Sequence, residues 1–384
     1  MAKRWMLVAL LIALSFVAGP ARAAPFETKA KQAFMIDATS GTILFSKNAD
    51  DLIPPASLAK LMTMETVFYA LKEGKVSLNQ EYTVSEHAWR TGGAPSGGST
   101  MFAKLKSSIR MEDLIRGVII QSANDGAIII AEGMTGSEEK FAAEMNRRAS
   151  AIGLKKSIFK NPTGLPADGQ VVTVRELAML GMHIWRTYPE FYRIYAEPDF
   201  TWNKITQRNR NPLLAMKIGA DGMKTGFTEA SGYAIVGSAE SGGTRVFLAM
   251  SGMASDKERA DEARKLLEWG MVGFSRTPLF SAEDTIGSVA VFGGDATSVP
   301  VRAKGPIAIP LPRNADEKLA ARIVYQGPVV APIKQGDQIG SLNVWLGDTL
   351  TQETPLYAAA DVGAGSFHQR AWAAVRELAI GWLR

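Results

Sequence analysis

Three short motifs stand in order along the chain and together carry the residue types of covalent serine catalysis. They are Ser57-Leu58-Ala59-Lys60, Ser122-Ala123-Asn124 and Lys224-Thr225-Gly226. A serine becomes a nucleophile when a neighbouring group accepts its proton, and a lysine that is held neutral can be that group. A second lysine supplies positive charge for an anionic part of the substrate. The set predicts attack on an amide through a covalent serine intermediate.

The order and local context of the motifs carry this prediction, because the shorter patterns recur. Ser-x-x-Lys also occurs at Ser137 and Ser157, and Ser-x-Asn also occurs at Ser77 and Ser341. Lys-Thr-Gly occurs once.

The context of Ser57 favours a catalytic role. Two prolines interrupt regular structure just before it, and apolar residues then recur at helical spacing. Ser57 is therefore predicted at a helix N-terminus, with Lys60 one turn later on the same face. Burial and a neighbouring cation such as Lys224 would lower the pKa of Lys60. The alternative is that Ser57 is only an N-cap and Lys60 a solvated helix residue.

The second motif lies between two apolar helical runs, at 114–120 and 128–131. A polar segment between buried helices needs partners, and a cavity lined by Ser122 and Asn124 would provide them. The alternative is a helix-to-helix turn in which Asn124 or Asp125 caps the second helix.

The third motif precedes two predicted strands, near 233–237 and 245–250, which suggest a hairpin with the motif on or just before its first strand. The lack of a side chain at Gly226 would let this strand edge pair with an extended substrate backbone. Lys224 would then hold negative charge in the cleft, and the Thr225 hydroxyl could bond a carboxylate. The alternative is a basic turn.

With these motifs the chain resembles the penicillin-recognising serine D-alanyl-D-alanine carboxypeptidases, the low-molecular-weight penicillin-binding proteins of bacteria. The resemblance covers nearly all of the chain after its N-terminal leader, and it extends to residues 33–44, 54–63, 161–166, 209–211 and 258–263. It implies an α+β fold. A domain like those of penicillin-binding transpeptidases and class A β-lactamases, with an antiparallel sheet and a helical cluster, would precede a small all-β sandwich and a C-terminal amphipathic helix.

The resemblance assigns catalytic roles position by position. Ser57 would be acylated by the penultimate D-alanine of a peptidoglycan pentapeptide, releasing the terminal D-alanine, and Lys60 would take the serine proton. Ser122 would relay a proton to the leaving amine, with Lys224 setting the potential around it. Asn124 would bond the peptide chain of the substrate.

The resemblance also implies the substrate contacts. Backbone N–H groups of Ser57 and Phe227 would form the oxyanion hole, with Gly226 beside them in the substrate-binding strand. Thr225 and Arg259 would bind the terminal carboxylate, since a guanidinium matches that planar group. The alternative for Arg259 is a solvated residue at a charged helix start. β-Lactam antibiotics are expected as covalent inhibitors, and no metal or other cofactor is expected.

Two positions depart from the family pattern. Many carboxypeptidases of the family have His where this chain has Phe227, so polar help from that side chain is lost although the backbone N–H remains. Glu176 stands where the family often has Asp, which bears on deacylation and on the positioning of the neighbouring loop.

Other functions would require other residues or motifs in the sequence. A β-lactamase would be expected to carry a Glu-x-x-Leu-Asn segment after the second motif, and none is present. A Ser-His-Asp hydrolase is disfavoured because Gly-x-Ser-x-Gly is absent and only His87, His183 and His368 occur. A non-catalytic cell-wall protein would be expected to have lost a motif residue. A D,D-endopeptidase, which accepts cross-linked peptides, stays open.

The ends and composition of the chain indicate export. Residues 1–23 have a basic start, an apolar run and a small-x-small site, which predicts a signal peptide cleaved after Ala23, with an uncleaved anchor as the alternative. Without these residues the chain has 40 basic and 38 acidic residues, so no nucleic-acid partner is implied. The chain has no cysteine and needs no disulfide outside the cytoplasm. We expect a periplasmic enzyme.

The predicted organisation is a catalytic domain at 24–276, a β-rich domain at 277–362 and a terminal helix at 363–384. The helix has an apolar face that includes Phe367, Ala371, Val375, Leu378 and Trp382. Such a helix can lie in a membrane interface, which would attach the enzyme to the outer face of the cytoplasmic membrane. The alternative is a helix that packs on the protein itself.

Overall fold

A computed structural model describes residues 26–313 and 318–380 of the chain. In this part of the chain the α-helices are α1 Lys60–Lys72, α2 Glu86–Thr91, α3 Met111–Ile120, α4 Asn124–Thr135, α5 Glu138–Ala151, α6 Val174–Thr187, α7 Pro189–Tyr192, α8 Asp256–Val272 and α9 Phe367–Ile380. Short 3₁₀ helices cover Ala56–Ala59, Ala94–Ser96, Arg193–Ala196 and Pro212–Met216.

The strands alternate with these helices in the first part of the chain and dominate the last part. They are β1 Gln32–Asp37, β2 Ile43–Lys47, β3 Glu81–Thr83, β4 Ser108–Arg110, β5 Asp199–Trp202, β6 Ile205–Arg208, β7 Ala220–Thr228, β8 Gly232–Ser241, β9 Thr244–Met253, β10 Phe274–Phe280, β11 Gly287–Phe292, β12 Ser298–Arg302, β13 Ile307–Pro312, β14 Leu319–Tyr325, β15 Val329–Val330, β16 Gln338–Leu346 and β17 Thr349–Ala358.

A five-stranded antiparallel sheet, in the order β2-β1-β9-β8-β7, is the centre of the first domain. Both of its faces are apolar. On β9, for example, Phe247 belongs to one hydrophobic core and Leu248 to the other. Because both faces need covering, α6 packs against β1 and β9 on one side and α8 packs against β8 and β9 on the other. This arrangement confirms the expected α+β fold.

The three motifs fall where this architecture brings them together. The 3₁₀ helix Ala56–Ala59, which runs into α1, packs against β7, and the turn between α3 and α4 carries the second motif. The predicted hairpin is β8 and β9, and the third motif lies just before it. Lys224, Thr225 and Gly226 lie on a separate edge strand, β7, which pairs with the strand that contains Tyr233.

The expected small all-β sandwich is present. A six-stranded sheet, in the order β14-β16-β17-β12-β11-β15, and a two-stranded sheet of β10 and β13 share one core. Val289 and Leu342 enter this core from the larger sheet, and Ile307 and Ile309 enter it from the smaller one.

Among the described residues, two hydrogen bonds between side chains join the domains, and Arg313 Nε also donates to the Val272 carbonyl at 2.9 Å. Arg276 Nη2 donates to Asp37 Oδ2 at 2.9 Å, and the other oxygen of this fully buried carboxylate accepts backbone N–H groups of the β1–β2 turn. Thr42 Oγ1 donates to Gln352 Oε1 at 2.7 Å. Buried polar groups paired in this way fix one orientation of the β domain.

The terminal helix α9 begins with a capping box. Ser366 Oγ accepts the N–H of Gln369 at 3.4 Å, and Gln369 Oε1 accepts the N–H of Ser366 at 2.7 Å. The helix contacts β11, where Trp372 helps to line a small cavity against residues 290–297.

The apolar face of α9 is open to solvent in its first half, since Phe367 is 74% exposed, Trp372 72% and Val375 55%. The side chain of Leu378, and Trp382 and the predicted signal peptide altogether, lie outside what the structure describes. Among residues 26–313 and 318–380, no helix combines the length and apolarity needed to cross a bilayer.

Leu248 provides a test of the packing between the sheet and α8. Leu248→Ala should lower the free energy of unfolding by about 2–5 kcal/mol, because the fully buried side chain leaves a cavity. Leu52 is 58% exposed, and Leu52→Ala should change the free energy by no more than about 0.5 kcal/mol. Urea denaturation followed by circular dichroism measures both, and equal midpoints for the two variants would contradict the packing.

Candidate active site

The three motifs meet in one cleft of about 440 Å³. It is lined by Ser57, Ser99, Ser122, Arg210, Thr225, Gly226, Phe227, Tyr233, Asp256 and Arg259. The cleft lies between the sheet edge β7 and the helical cluster. Lys60, Asn124 and Lys224 are buried directly behind these lining residues and complete the set that the sequence indicated.

The amine of Lys60 contacts groups from three different segments of the chain. Lys60 is 1% exposed, and its Nζ lies 3.1 Å from Ser57 Oγ, 2.7 Å from Asn124 Oδ1 and 2.6 Å from the Thr163 carbonyl oxygen. A neutral amine has two N–H donors and one lone pair. The amide and carbonyl oxygens can take the two donors, which leaves the lone pair for the hydroxyl proton of Ser57.

The surroundings favour that neutral form. Burial, helped by the positive charge of Arg210 and opposed by Asp125, lowers the pKa of Lys60 to about 7. The predicted effects of burial and of a neighbouring cation therefore both occur. The neighbouring cation that acts on Lys60 is Arg210, whereas the sequence suggested Lys224.

Lys224 is also buried, at 2% exposed, and its Nζ donates to the Thr225 carbonyl at 3.0 Å. Burial holds the pKa of Lys224 well below its usual range, and the charges of Lys60, Arg210 and Arg259 act in the same direction. The charge of Lys60 thus opposes protonation of Lys224, and the cleft has a positive potential that an anionic substrate group would relieve.

The second motif presents a free hydroxyl. Ser122 adopts a left-handed backbone conformation, with φ 60°, and its buried Oγ makes no hydrogen bond within the described residues. Asn124 begins α4, and its backbone N–H donates to the Ser99 carbonyl at 2.8 Å. Since Lys60 engages the side-chain oxygen of Asn124, a substrate peptide would meet its amide nitrogen.

The third motif places little bulk beside Ser57. A Cβ atom on Gly226 would lie 3.2 Å from the Ala56 side chain and 3.3 Å from the backbone nitrogen of Ser57. The strand edge therefore approaches the Ser57 backbone closely. Phe227 follows with its side chain 46% exposed at the mouth of the cleft.

Arg259 is buried at 6% exposed and lines the cleft, so it does not take the alternative position of a solvated residue at a helix start. Its guanidinium pairs with Asp256, and its Nε has no acceptor among the described residues. Burial lowers the pKa of Arg259, whose guanidinium nonetheless stays charged.

Glu176, a departure from the family pattern, anchors the loop before the cleft. Its carboxylate accepts hydrogen bonds of 2.6–2.9 Å from the backbone N–H groups of Lys155, Lys156 and Ser157 and from the Ser157 hydroxyl. This segment leads to Thr163, whose carbonyl holds Lys60. The longer side chain thus secures the loop that positions the amine.

Two groups that act on the Lys60 amine, the Arg210 guanidinium and the Thr163 carbonyl, had no role assigned to them from the sequence. Arg210 lies in the segment 209–211 that resembled the family, but only the fold shows its guanidinium in the cleft, donating to Ser99 Oγ at 2.8 Å. The Thr163 carbonyl is a backbone group with no residue-type signal. The sequence signal nearest to it is the adjacent Gly164, which indicates a close backbone contact. A Cβ at Gly164 would lie 1.7 Å from the Ala56 carbonyl oxygen.

The chain has clear relatives among known proteins. Residues 19–254 match the family model for D-alanyl-D-alanine carboxypeptidases of peptidase family S11, and residues 274–364 match that for the C-terminal domain of penicillin-binding protein 5. The D-alanyl-D-alanine carboxypeptidase DacC of Escherichia coli K12 is 38% identical over 341 residues, covering 88% of this chain and 85% of that protein. The chain belongs to the D-alanyl-D-alanine carboxypeptidase family.

Solved structures agree with this membership. Penicillin-binding protein 5 of Haemophilus influenzae matches with a TM-score of 0.75 and 36% identity, covering 88% of this chain and 99% of that one. The ampicillin-bound form of penicillin-binding protein D2 of Listeria monocytogenes matches with a TM-score of 0.56 and 30% identity, covering 64% and 98%. The protein is a serine D-alanyl-D-alanine carboxypeptidase of peptidoglycan, and β-lactam binding fits the family.

The charge of Arg210 should set the pH at which this carboxypeptidase becomes active. Arg210→Met removes a positive charge that opposes protonation of Lys60, so it should raise the pKa of that amine. A base must be neutral to act. Acylation by a penicillin should therefore rise with pH through about 7 in the wild type and through a higher pH in the variant. The measurement is the second-order acylation rate as a function of pH.

Ser99→Ala is the control for this shift, because it removes the hydrogen bond of Arg210 and keeps the charge. Its midpoint should match the wild type. Coincident midpoints for Arg210→Met and the wild type would contradict the electrostatic role of Arg210.

Proposed function

We propose that Ser57 is the nucleophile and Lys60 its base in the removal of terminal D-alanine from peptidoglycan pentapeptides. The observation that carries the proposal is the Lys60 amine, 3.1 Å from Ser57 Oγ and held by two oxygen acceptors. Attack of Oγ on the carbonyl carbon of the penultimate D-alanine forms a C–O bond, and the hydroxyl proton passes to Lys60.

Breakdown of the tetrahedral intermediate breaks the amide C–N bond. Ser122 passes a proton to the leaving nitrogen, which suits a hydroxyl that faces the cleft without a partner among the described residues. Lys224 keeps the potential positive while negative charge develops, and Asn124 holds the peptide chain. Water then hydrolyses the ester and frees Ser57.

Backbone and side-chain donors complete the site. The N–H groups of Ser57 and Phe227 form the oxyanion hole, and each such donor typically stabilises the transition state by about 3 kcal/mol. Thr225 and Arg259 bind the terminal carboxylate, with the unpaired Nε of Arg259 as a free donor. A β-lactam presents an amide and a carboxylate to the same groups and acylates Ser57.

Ser57→Ala should abolish both reactions, because no other group in the cleft replaces the nucleophile. We expect D-alanine release from diacetyl-lysyl-D-alanyl-D-alanine to fall by roughly 10³-fold or more. Intact-protein mass should show a penicillin adduct on the wild type and none on the variant. Ser137→Ala, in a second Ser-x-x-Lys sequence, is the matched control and should keep the adduct. An adduct on Ser57→Ala would show that another serine is the nucleophile.

The proposal extends to location. Residues 1–23 are a secretory signal peptide cleaved after Ala23, and the mature enzyme works in the periplasm as domains 24–276 and 277–362. Residues 363–384 attach it to the outer face of the cytoplasmic membrane. The exposure of Phe367, Trp372 and Val375 along one part of α9 supports this attachment, since an interfacial helix buries such side chains between lipid headgroups.

Replacing two of these side chains should release the enzyme from lipid. Phe367→Ser combined with Trp372→Ser should lower partitioning onto vesicles of phosphatidylethanolamine and phosphatidylglycerol by roughly tenfold or more, because two large apolar groups no longer enter the interface. Sedimentation of the vesicles measures the bound fraction. Leu52→Ser alters an exposed apolar residue away from α9 and serves as the control. Equal binding of all three proteins would contradict the attachment.

A further inference from the structure

An aromatic pair forms one wall of the active-site cleft. The rings of Phe227 and Tyr233 have centroids 4.4 Å apart and an interplanar angle of 36°. Both residues line the cleft, and Phe227 leaves 46% of its surface exposed there. The other lining residues are polar or charged, apart from Gly226. This aromatic wall is therefore the main apolar surface that the cleft offers to a ligand.

The aromatic wall adjoins the groups that would hold the terminal carboxylate. The guanidinium carbon of Arg259 lies 5.7 Å from the centre of the Tyr233 ring, and Thr225 is two residues from Phe227 on β7. In a substrate, the terminal carboxylate and the side chain of the last residue share one Cα atom. Fixing the carboxylate at Thr225 and Arg259 thus brings that side chain within reach of the wall.

We propose that Phe227, backed by Tyr233, is a specificity-determining residue that selects the side chain of the C-terminal D-residue. The site should take stems that end in small apolar D-residues, D-alanine and the slightly larger D-2-aminobutyrate, and should disfavour the polar isostere D-serine. This inference rests on the proposed function, since it assumes that the carboxylate binds at Thr225 and Arg259. The reaction is unchanged: the same amide C–N bond breaks, the leaving nitrogen takes the proton, and water releases the acyl group.

The preference follows from the chemistry of an aromatic ring. Contact with a phenyl face removes apolar surface from water, and each added methylene typically strengthens binding roughly fourfold. A hydroxymethyl group of the same size gives up hydrogen bonds to water, and the Phe227 ring has no donor or acceptor to replace them. The comparison of aminobutyrate with serine therefore isolates polarity from size.

The test uses diacetyl-lysyl-D-alanyl peptides that end in D-alanine, D-2-aminobutyrate or D-serine. For the full-length mature enzyme, kcat/KM for aminobutyrate release should exceed that for serine release by about tenfold or more. Phe227→Asn should lower this ratio at least roughly threefold, because an amide can pair with the hydroxyl. Phe227→Leu keeps an apolar wall and should stay within about twofold of the wild-type ratio. Mass spectrometry of the released amino acids gives the rates.

Penicillin titration of each protein counts the competent active sites, so partial misfolding does not distort the rates. Leu52→Asn adds the same amide at an exposed position that does not line the cleft, and it should leave the ratio unchanged. A wild-type ratio near one, or the same ratio in the wild type and Phe227→Asn, would overturn the inference. Absence of D-alanine release by the wild type would instead overturn the proposed function, so the two failures are distinct.

Discussion

The burial of two lysine amines beside one serine is the constraint on which the rest of the structure depends. Lys60 and Lys224 are each almost fully buried, and within the described residues neither amine is paired with a carboxylate. A buried cation without an anionic partner lowers its own pKa, because the neutral form avoids the loss of hydration. Burying these amines lowers the stability of the folded state, and it leaves Lys60 able to accept a proton near neutral pH.

Two buried carboxylates near the cleft, those of Asp125 and Glu176, accept hydrogen bonds from other groups and form no ion pair with the two amines. The Asp125 carboxylate accepts the Thr100 hydroxyl and the backbone N–H groups of Met101 and Ala103, and Glu176 accepts three backbone N–H groups and a hydroxyl. Each acid thus holds a loop against the helical cluster. These loops carry the Ser99 carbonyl, which fixes Asn124, and the Thr163 carbonyl, which fixes Lys60.

The segments of both cleft serines include a residue with strained backbone. Ala56, next to Ser57, has φ 48°, and Ser122 has φ 60°. A non-glycine residue in the left-handed region is typically destabilised by about 1–3 kcal/mol and persists where its surroundings enforce it. Here the close approach of β7 and of Gly164 to the Ala56 segment supplies that enforcement. The strain aims the two hydroxyls into one cleft.

Local sequence determined the residue types of the site, the helix at Ser57 and Lys60, the turn at Ser122 and the alternation of helices and strands. These features depend on neighbours a few positions apart, through side-chain periodicity and the turn-forming residues between elements. Motif order and the resemblance to a family then indicated the reaction. Tertiary structure alone decided that the third motif lies on an edge strand of its own, that Arg210 is the cation beside Lys60, and that a carbonyl at Thr163 completes its shell. The physical reason is that burial and electrostatic interaction depend on distance in space, and the groups that set the pKa of Lys60 come from segments far apart along the chain.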